Sequence, residues 1–184
     1  MRNVIILIIA LSSILPLACN KTECGDQRQI SSWVEKLDSP ENMQTGRPIT
    51  AKLVAATPAA IPALRLAARN GRELQRGEAI LALGMAKDTD SFPLMELMLS
   101  DASPWVVSYA QWALTELGDA RGVSAVCRVA STPRGREKLD IVKVLVMCSN
   151  LVTEDQIRDV SPLCMENLTN PDVDARRAAR ACLH

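Results

Sequence analysis

The feature that most restricts how this chain can fold is an internal repeat with a period of 31 residues. When the sequence is shifted by one period, residues 79–88 ("AILALGMAKD") align with residues 110–119 ("AQWALTELGD"). A second shift brings residues 141–145 onto the same positions. The aligned positions are apolar at the spacing of one helix face, so each repeat is expected to bury the same face. These positions are Ala79, Ala82 and Leu83, then Ala110, Ala113 and Leu114, then Ile141, Val144 and Leu145.

Each repeat is predicted to be a hairpin of two helices, because alanine and leucine dominate and no stretch alternates polar and apolar residues. Pro62, Pro93 and Pro162 recur at matching places, where a proline suits the first turn of a helix. The last interval is longer than the others, and "TEDQ" at residues 153–156 predicts a small added turn of helix there. The first helices are predicted near residues 58–70, 91–100, 122–131 and 161–169, and the second helices near 72–86, 103–117, 135–148 and 172–183, after a degenerate pair near 29–40 and 47–57.

Residues 101–122 ("DASPWVVSYAQWALTELGDARG") and 170–183 ("NPDVDARRAARACL") resemble the HEAT-repeat family, especially its short bacterial repeats of the phycobilin-lyase type. The resemblance implies an all-α fold, a right-handed α-solenoid of four to five stacked hairpins, with the second helices lining a concave partner-binding side. The chain departs from the family at Val107, where an arginine is common, and Arg176 is expected to take that role in the last repeat.

The chain opens with a short apolar segment. Arg2 precedes the apolar residues 4–15, a length below the ~20 residues that a membrane-spanning helix needs. Residues 17–19 ("LAC") then resemble a bacterial lipoprotein signal, although Pro16 stands where that signal prefers leucine. The resemblance implies a lipid on Cys19; an ordinary secretion signal and an uncleaved anchor remain alternatives. The predicted division is a signal peptide over residues 1–18, a polar tether over 19–27 and a HEAT-like repeat domain over 28–184, with 28–57 as its degenerate first pair.

The composition argues against several classes of function. Lysine plus arginine equals aspartate plus glutamate at 21 each, so no overall field attracts nucleic acid. The single histidine, His184, disfavours histidine-based catalysis and histidine-rich metal sites. Neither a phosphate-binding glycine loop nor a hydrolase or metalloprotease motif occurs. The sequence therefore predicts no catalytic residue, no metal and no cofactor.

The aromatic candidates for partner binding lie on the second helix of the third hairpin. Trp105 and Trp112 are seven residues apart and share one helix face, with Tyr109 one turn after Trp105. Tryptophan, tyrosine and arginine are the residues most enriched at interface hot spots. The alternative is that one or both tryptophans fill the core between repeats. Other second-helix candidates are Glu73, Ser108, Gln111, Glu116 and Lys138.

The basic candidates form two groups. Arg72 and Arg76 follow Arg65 and Arg69 at helical spacing, and Arg176 and Arg180 lie near the C-terminus beside Arg177. Either group suits an acidic partner. The alternative is a solvated face whose arginines pair within the chain, for the first group with Glu73 or Glu78.

Six cysteines occur without any C-x-x-C pair, which disfavours a zinc ribbon. If the chain is exported, disulfides become possible. The repeat register favours bridges across hairpins, because pairing within a hairpin places Cys148 at the far end of its predicted helix. The alternative is that the four distal cysteines are buried apolar side chains. The predicted pairs are Cys127 with Cys164 and Cys148 with Cys182, which leaves Cys24 free or paired with an unlipidated Cys19.

These observations predict an exported, lipid-anchored scaffold, not an enzyme, that binds a partner protein through its concave face. With Asn20 after the cysteine, the lipoprotein resemblance implies the outer membrane of a bacterial envelope; a soluble periplasmic or secreted protein is the alternative. A competing function is a lyase-type helper that holds a cofactor or substrate and uses a reactive thiol at Cys127 or Cys148. A further alternative is a structural subunit of an envelope complex.

Overall fold

A computed structural model describes residues 21–132, 135, 139–148 and 154–183, without the side chains of residues 21–25, 154–157 and 159. The predicted signal peptide and Cys19 therefore lie outside the described residues, as do Lys138 and the side chain of Cys24. The described part contains ten α-helices and no strand. They are α1 (Lys21–Glu35), α2 (Pro48–Ala55), α3 (Ile61–Asn70), α4 (Glu73–Met85), α5 (Phe92–Met98), α6 (Pro104–Leu117), α7 (Ala120–Ala130), α8 (Ile141–Cys148), α9 (Glu154–Glu166) and α10 (Val173–Ala181).

The helices form five consecutive hairpins arranged in two layers. The first helices of neighbouring hairpins pack together, α1 on α3, α5 on α7 and α7 on α9. The second helices form the other layer, in which α4 contacts α2 and α6, and α8 contacts α10. No hairpin of this kind can bury its apolar face alone, so the stack shares one elongated core. The predicted all-α solenoid is confirmed.

Local signals explain where several helices begin. Ser103, Asp119 and Asp172 precede α6, α7 and α10, and each side chain accepts a hydrogen bond from a backbone N–H of the first turn. Pro62 and Pro93 lie in the first turns of α3 and α5, as predicted.

The last hairpin differs from its prediction. The first helix was expected to start at residue 161, with Pro162 in its first turn and a separate short turn before it. Instead the segment from Glu154 to Glu166 is one continuous helix, and Pro162 lies inside it. The added length is therefore absorbed by extending α9 at its N-terminal end.

At the other end of the described chain, α1 begins at Lys21 and so covers most of the segment assigned to a tether. The boundary between tether and repeat domain is thus not marked by a change of backbone structure, and the tether stays a prediction. Within the described ranges, no helix has the length and apolar character needed to cross a bilayer.

Two glycines set the distance between α4 and α6. A Cβ atom on Gly77 would lie 2.6 Å from Cδ2 of Tyr109, and one on Gly84 would lie 2.6 Å from Cα of Ala113. Without side chains at these positions α6 lies directly against α4, and every residue of α4 from Gly77 to Gly84 is buried. This seam is the centre of the core.

The disulfides correct the predicted pairing. Cys127 is bonded to Cys148, and Cys164 to Cys182, so each bridge joins the two helices of one hairpin. The corresponding Cα atoms are 6.5 and 6.1 Å apart, within the range that a disulfide spans.

The predicted disulfide partner of Cys148 was wrong because the start of α8 was predicted too early. The prediction began this helix at residue 135, which placed Cys148 thirteen positions along it, roughly 20 Å from its start at 1.5 Å per residue. The helix begins at Ile141 instead, so Cys148 is only two turns along it and reaches Cys127 on α7. For the second bridge, α10 packs mainly on α8, and Cys182 at its end still comes within reach of Cys164.

Candidate functional site: the second-helix face around α6

The exposed stripe of α6 consists of Trp105, Ser108, Trp112 and Thr115, spaced by three and four residues so that all four lie on one face. Trp105 is 64% exposed and Trp112 is 44% exposed. Neither indole fills the core between hairpins. Together they are the exposed aromatic residues of α6 on the solvent side of the second-helix layer. This side of the layer is hereafter called the second-helix face.

Tyr109 does not belong to this surface, contrary to the prediction. It is 8% exposed, because its ring fills the space left by Gly77 on α4. Its hydroxyl accepts a hydrogen bond of 3.1 Å from Nη1 of Arg47. Tyr109 is therefore a packing residue beneath the candidate site.

The indole of Trp112 is held in place on two sides. The Arg47 guanidinium carbon lies 5.1 Å from the centroid of the Trp112 ring, and equally far from that of Tyr109. The indole Nε1 donates a hydrogen bond of 3.0 Å to Oε1 of Glu116, one turn further along α6. A side chain fixed in this way has less conformational entropy to lose when a partner binds.

A buried polar cluster positions Arg47. Its guanidinium forms an ion pair with Glu78, which is fully buried on α4. The Glu78 carboxylate also accepts hydrogen bonds from Thr50 Oγ1 (2.8 Å) and Asn42 Nδ2 (3.3 Å), so its desolvation is compensated. Asn42 Oδ1 in turn accepts the backbone N–H groups of Ile49 and Thr50 at the start of α2, both at 3.0 Å.

Sequence reasoning missed Arg47, which precedes α2 and has a left-handed backbone with φ of 45°. It is the first residue of the second helix predicted for the degenerate first pair, and its contacts are 31 to 65 residues away in sequence. The only signal in the sequence was Glu78. A glutamate on an otherwise apolar helix face requires a cationic partner, and Arg47 is that partner.

The predicted basic patch at Arg72 and Arg76 is paired within the chain. Arg72 donates to both carboxylate oxygens of Asp38, at 2.6 and 2.8 Å, and this hydrogen-bonded pair raises the pKa of the Arg72 guanidinium. Arg76 donates to Asp101, at 3.0 Å, and to the carbonyl of Gly71. The ion-pair partners of Arg72 and Arg76 are therefore Asp38 and Asp101, not Glu73 or Glu78. Each arginine links its own hairpin to a neighbouring one, Arg72 to the hairpin that contains Asp38 and Arg76 to the hairpin that contains Asp101.

At the C-terminal end, Arg176 donates from Nη1 to the carbonyl oxygens of Asn170 and Pro171, at 2.7 and 2.9 Å. This places it against the turn that precedes α10. Arg180 is exposed one turn later, and Arg177 contacts Asp174 on the same helix. The structure does not bring these arginines together with the tryptophans of α6.

A groove of about 480 Å³ lies between α6 and α8 on the second-helix face. Its walls are mainly apolar, and Val146 is 51% exposed there. Thr115 Oγ1 donates a hydrogen bond of 2.9 Å to the carbonyl of Gln111 and lies 3.2 Å from Sδ of Met147 on α8. The lining residues are Ser108, Gln111, Trp112, Thr115, Val142, Lys143, Val146 and Met147.

The repeat explains why the groove opens at this seam and not at the previous one. Ser108 and Thr115 on α6 stand one repeat period after Gly77 and Gly84 on α4. The glycines allow α6 to pack directly on α4, whereas the side chains of Ser108 and Thr115 face α8 across a gap. Gln111 and Trp112 likewise replace the fully buried Ile80 and Leu81.

One buried polar atom of a groove-lining residue lacks a partner. Gln111 is 3% exposed, and its Nε2 is the buried side-chain nitrogen or oxygen that has no hydrogen bond among the described residues. No cluster of three or more metal-ligating side chains occurs in the ranges that the structure covers. The groove itself offers mainly apolar surface.

No protein-family model matches the chain, and no curated protein matches it significantly. Its fold is similar to that of the designed armadillo repeat protein YIII(Dq.V1)4CPAF, solved in complex with the peptide (KR)4. The two share a TM-score of 0.53 at 14% identity, over 88% of this chain and 83% of that one. The likeness shows the fold alone. That fold is a helical-repeat solenoid.

Proposed function

We propose that this protein is a binding scaffold that holds a partner protein against its second-helix face, centred on Trp105 and Trp112. The observation that carries the proposal is the pair of exposed indoles on one face of α6, of which Trp112 also lines an apolar groove. Exposed tryptophans beside such a groove are typical of interface hot spots. The peptide bound by the armadillo neighbour is consistent with this use of the fold.

The competing lyase-type function receives no support from the cysteines. It requires a reactive thiolate at Cys127 or Cys148, and these two residues are bonded to each other. The groove lining also contains neither a cysteine nor an acid. A binding scaffold needs neither group.

Export to the bacterial cell envelope, with a lipid on Cys19, is part of the same proposal. It rests on the N-terminal sequence and is supported by the two disulfides, which persist in oxidising compartments and are rare in the cytosol. Expression of the native chain and of Cys19→Ala in the presence of an alkyne-tagged fatty acid tests it. The native chain should incorporate the label and the variant should not; a native chain without label excludes the lipid anchor.

The binding function is tested by in-cell crosslinking and affinity capture, with bound proteins identified by mass spectrometry. The native chain is compared with Trp105→Ala/Trp112→Ala and with a matched control, Leu66→Ala/Leu97→Ala, which removes equally exposed apolar side chains from α3 and α5 in the other layer. Urea unfolding verifies that all three chains are folded. We expect a discrete protein captured by the native chain and the control but lost from the tryptophan variant. Capture of no specific protein, or equal loss from both variants, contradicts the proposal.

A further inference from the structure

The last hairpin gains less from apolar burial than the earlier ones. Its second helix, α10, buries Ala175, Ala178 and Ala179, and Cys182 directly follows it. By contrast, α4 buries one isoleucine and two leucines. Burial stabilises a fold roughly in proportion to the apolar area removed from water, and alanine offers the smallest such area of these side chains. Apolar burial therefore contributes less at α10 than at α4.

In the hairpin before it, α8 is positioned mainly through α7. A groove separates α8 from α6, whereas α8 packs on α7 and α10. Cys148 is the last residue of α8, and its bond to Cys127 ties α8 to α7. Val146 and Met147, which directly precede Cys148, belong to the wall of the groove. The bridge therefore fixes the position of that wall.

The two disulfides act on the same end of the stack. Cys127–Cys148 joins α7 to α8, and Cys164–Cys182 joins α9 to α10, while α8 and α10 pack on each other. The bonded residues are 21 and 18 positions apart, and closing a loop of such length typically stabilises the folded form about 30- to 900-fold. The stretch from α3 to α6, residues 61–117, contains no cysteine. In a repeat stack each unit depends mainly on its neighbours, so loss of the bridges acts chiefly on α8, α9 and α10.

We propose that the two disulfides form a redox switch for this end of the scaffold. With both bridges formed, α8, α9 and α10 are packed and the groove has both walls. With four thiols in their place, these three helices open, while α3 to α6 stay packed and keep Trp105 and Trp112. Each bridge forms by thiol–disulfide exchange, in which two cysteine thiols give two electrons and two protons to a disulfide oxidant that leaves as two thiols. The second-helix face is therefore completed only in an oxidising compartment.

The test compares the oxidised and the reduced native chain by hydrogen exchange and mass spectrometry. Both samples are unfolded in guanidinium chloride with a phosphine reductant and refolded by dilution. One is refolded into the reductant and the other, after its removal, into a mixture of oxidised and reduced glutathione. Deuterium uptake is then followed in peptides from α4 and α6 and in peptides from α8 and α10.

We expect α8 and α10 to exchange at least about 30-fold faster in the reduced sample, because their opening equilibrium shifts by the stabilisation that one bridge supplies. Peptides from α4 and α6 should differ by less than about threefold between the samples. Equal exchange of α8 and α10 in both samples would mean that packing alone holds this end, and would overturn the proposal. An equal acceleration in all four helices would overturn it too, since the bridges would then support the whole stack.

A second measurement needs no reductant and reports on the groove wall. In the Cys127→Ala/Cys148→Ala chain, dilute hydrogen peroxide should oxidise Met147 at least about tenfold faster than in the native chain, because α8 opens. Met95 on α5 is fully buried, and its oxidation rate should not change. An unchanged rate at Met147 would show that α8 keeps its place without the bridge, which contradicts the proposal.

The two measurements control each other. The reduced native chain keeps all its sulfur atoms, so its result is free of the small cavities that the alanine variant introduces. Neither measurement uses a partner protein. Their outcome is therefore independent of the proposed function, which is tested on the oxidised chain.

Discussion

At the scale of single residues, Arg47 and Glu78 link the leading hairpin to the candidate site. Glu78 is fully buried, and its carboxylate depends on Arg47 for charge compensation. The same guanidinium lies over Trp112 and donates to Tyr109. A change at Arg47 therefore affects the stability of the core and the order of the exposed indole together.

Arg47→Ala should lower the free energy of unfolding by about 3 kcal/mol, because it leaves a buried carboxylate unpaired. Urea unfolding at neutral pH measures this loss, and the Arg47→Lys variant, which keeps the charge, should lose less. A loss below about 1 kcal/mol for Arg47→Ala would mean that solvent, not Arg47, compensates Glu78.

Asp119 provides a pH-dependent contribution at the start of α7. The Arg121 side chain hydrogen-bonds to its carboxylate, and the backbone N–H of Arg121 adds a second bond; both lower the pKa of Asp119. A carboxyl whose pKa is lower in the folded state stabilises the fold above its unfolded value of about 3.9, and the contribution is lost as the pH falls through the folded value.

Asp119→Asn should therefore be less stable than the native chain at pH 7, by roughly 0.2–1 kcal/mol given the solvent exposure of Arg121. The difference between the two chains should shrink as the pH falls below about 4. Urea unfolding at several pH values measures it. A difference that is the same at pH 3 and pH 7 would show that the charge of Asp119 has no part in it.

At the scale of elements, the two seams of α6 differ in how closely the helices approach. Gly84 lies where α4 meets α6, and Thr115 holds the corresponding position where α6 meets α8. A methyl group on Gly84 collides with the backbone of Ala113, while the groove leaves space beside Thr115.

Gly84→Ala should destabilise the protein by about 1–3 kcal/mol despite the better helix propensity of alanine, since the seam must open to admit the methyl group. The matched change Thr115→Ala should cost no more than about 1 kcal/mol, because it removes a partly solvated hydroxyl that bonds to the Gln111 carbonyl and creates no clash. Thermal or urea unfolding compares the two. A stabilised Gly84→Ala variant would refute the close α4–α6 contact.

The disulfides act on the last two hairpins. Removing the bridge by Cys127→Ala/Cys148→Ala should lower the free energy of unfolding by about 3 kcal/mol, the value for a loop of this size. Mass spectrometry of the unreduced, digested protein should show Cys127 linked to Cys148 and Cys164 linked to Cys182. Peptides that link Cys127 to Cys164 would instead support the pairing across hairpins.

The sequence was sufficient to predict the two hairpins formed by α3 to α6. The apolar repeat and the prolines at 62 and 93 indicate the same helix starts that the structure shows. It failed at α8, where ten residues separate the last residue of α7 from Ile141 and the repeat pattern alone does not show which of them are helical. The disulfide pairing depended on that start, so the two errors have one cause.

At the scale of the whole molecule, the candidate site combines segments that are far apart in sequence. Helical spacing predicted that Trp105 and Trp112 share one face but left open whether that face is buried. The burial of Tyr109 depends on the absence of a side chain at Gly77 on another helix. Similarly, Arg72 and Arg76 looked available until Asp38 and Asp101 came within reach through the stacking of hairpins. Exposure and pairing are properties of the stack, and no single repeat contains them.

The most direct test of the second-helix face as the binding surface is site-specific photocrosslinking in cells that express the full chain. A photoreactive phenylalanine analogue replaces Ser108, which lines the groove on the second-helix face, or Leu97, which is exposed on α5 in the other layer. We predict a discrete crosslinked protein from position 108 and none from position 97. A crosslink from position 97 alone, or from neither position, would contradict the assignment of the second-helix face as the binding surface.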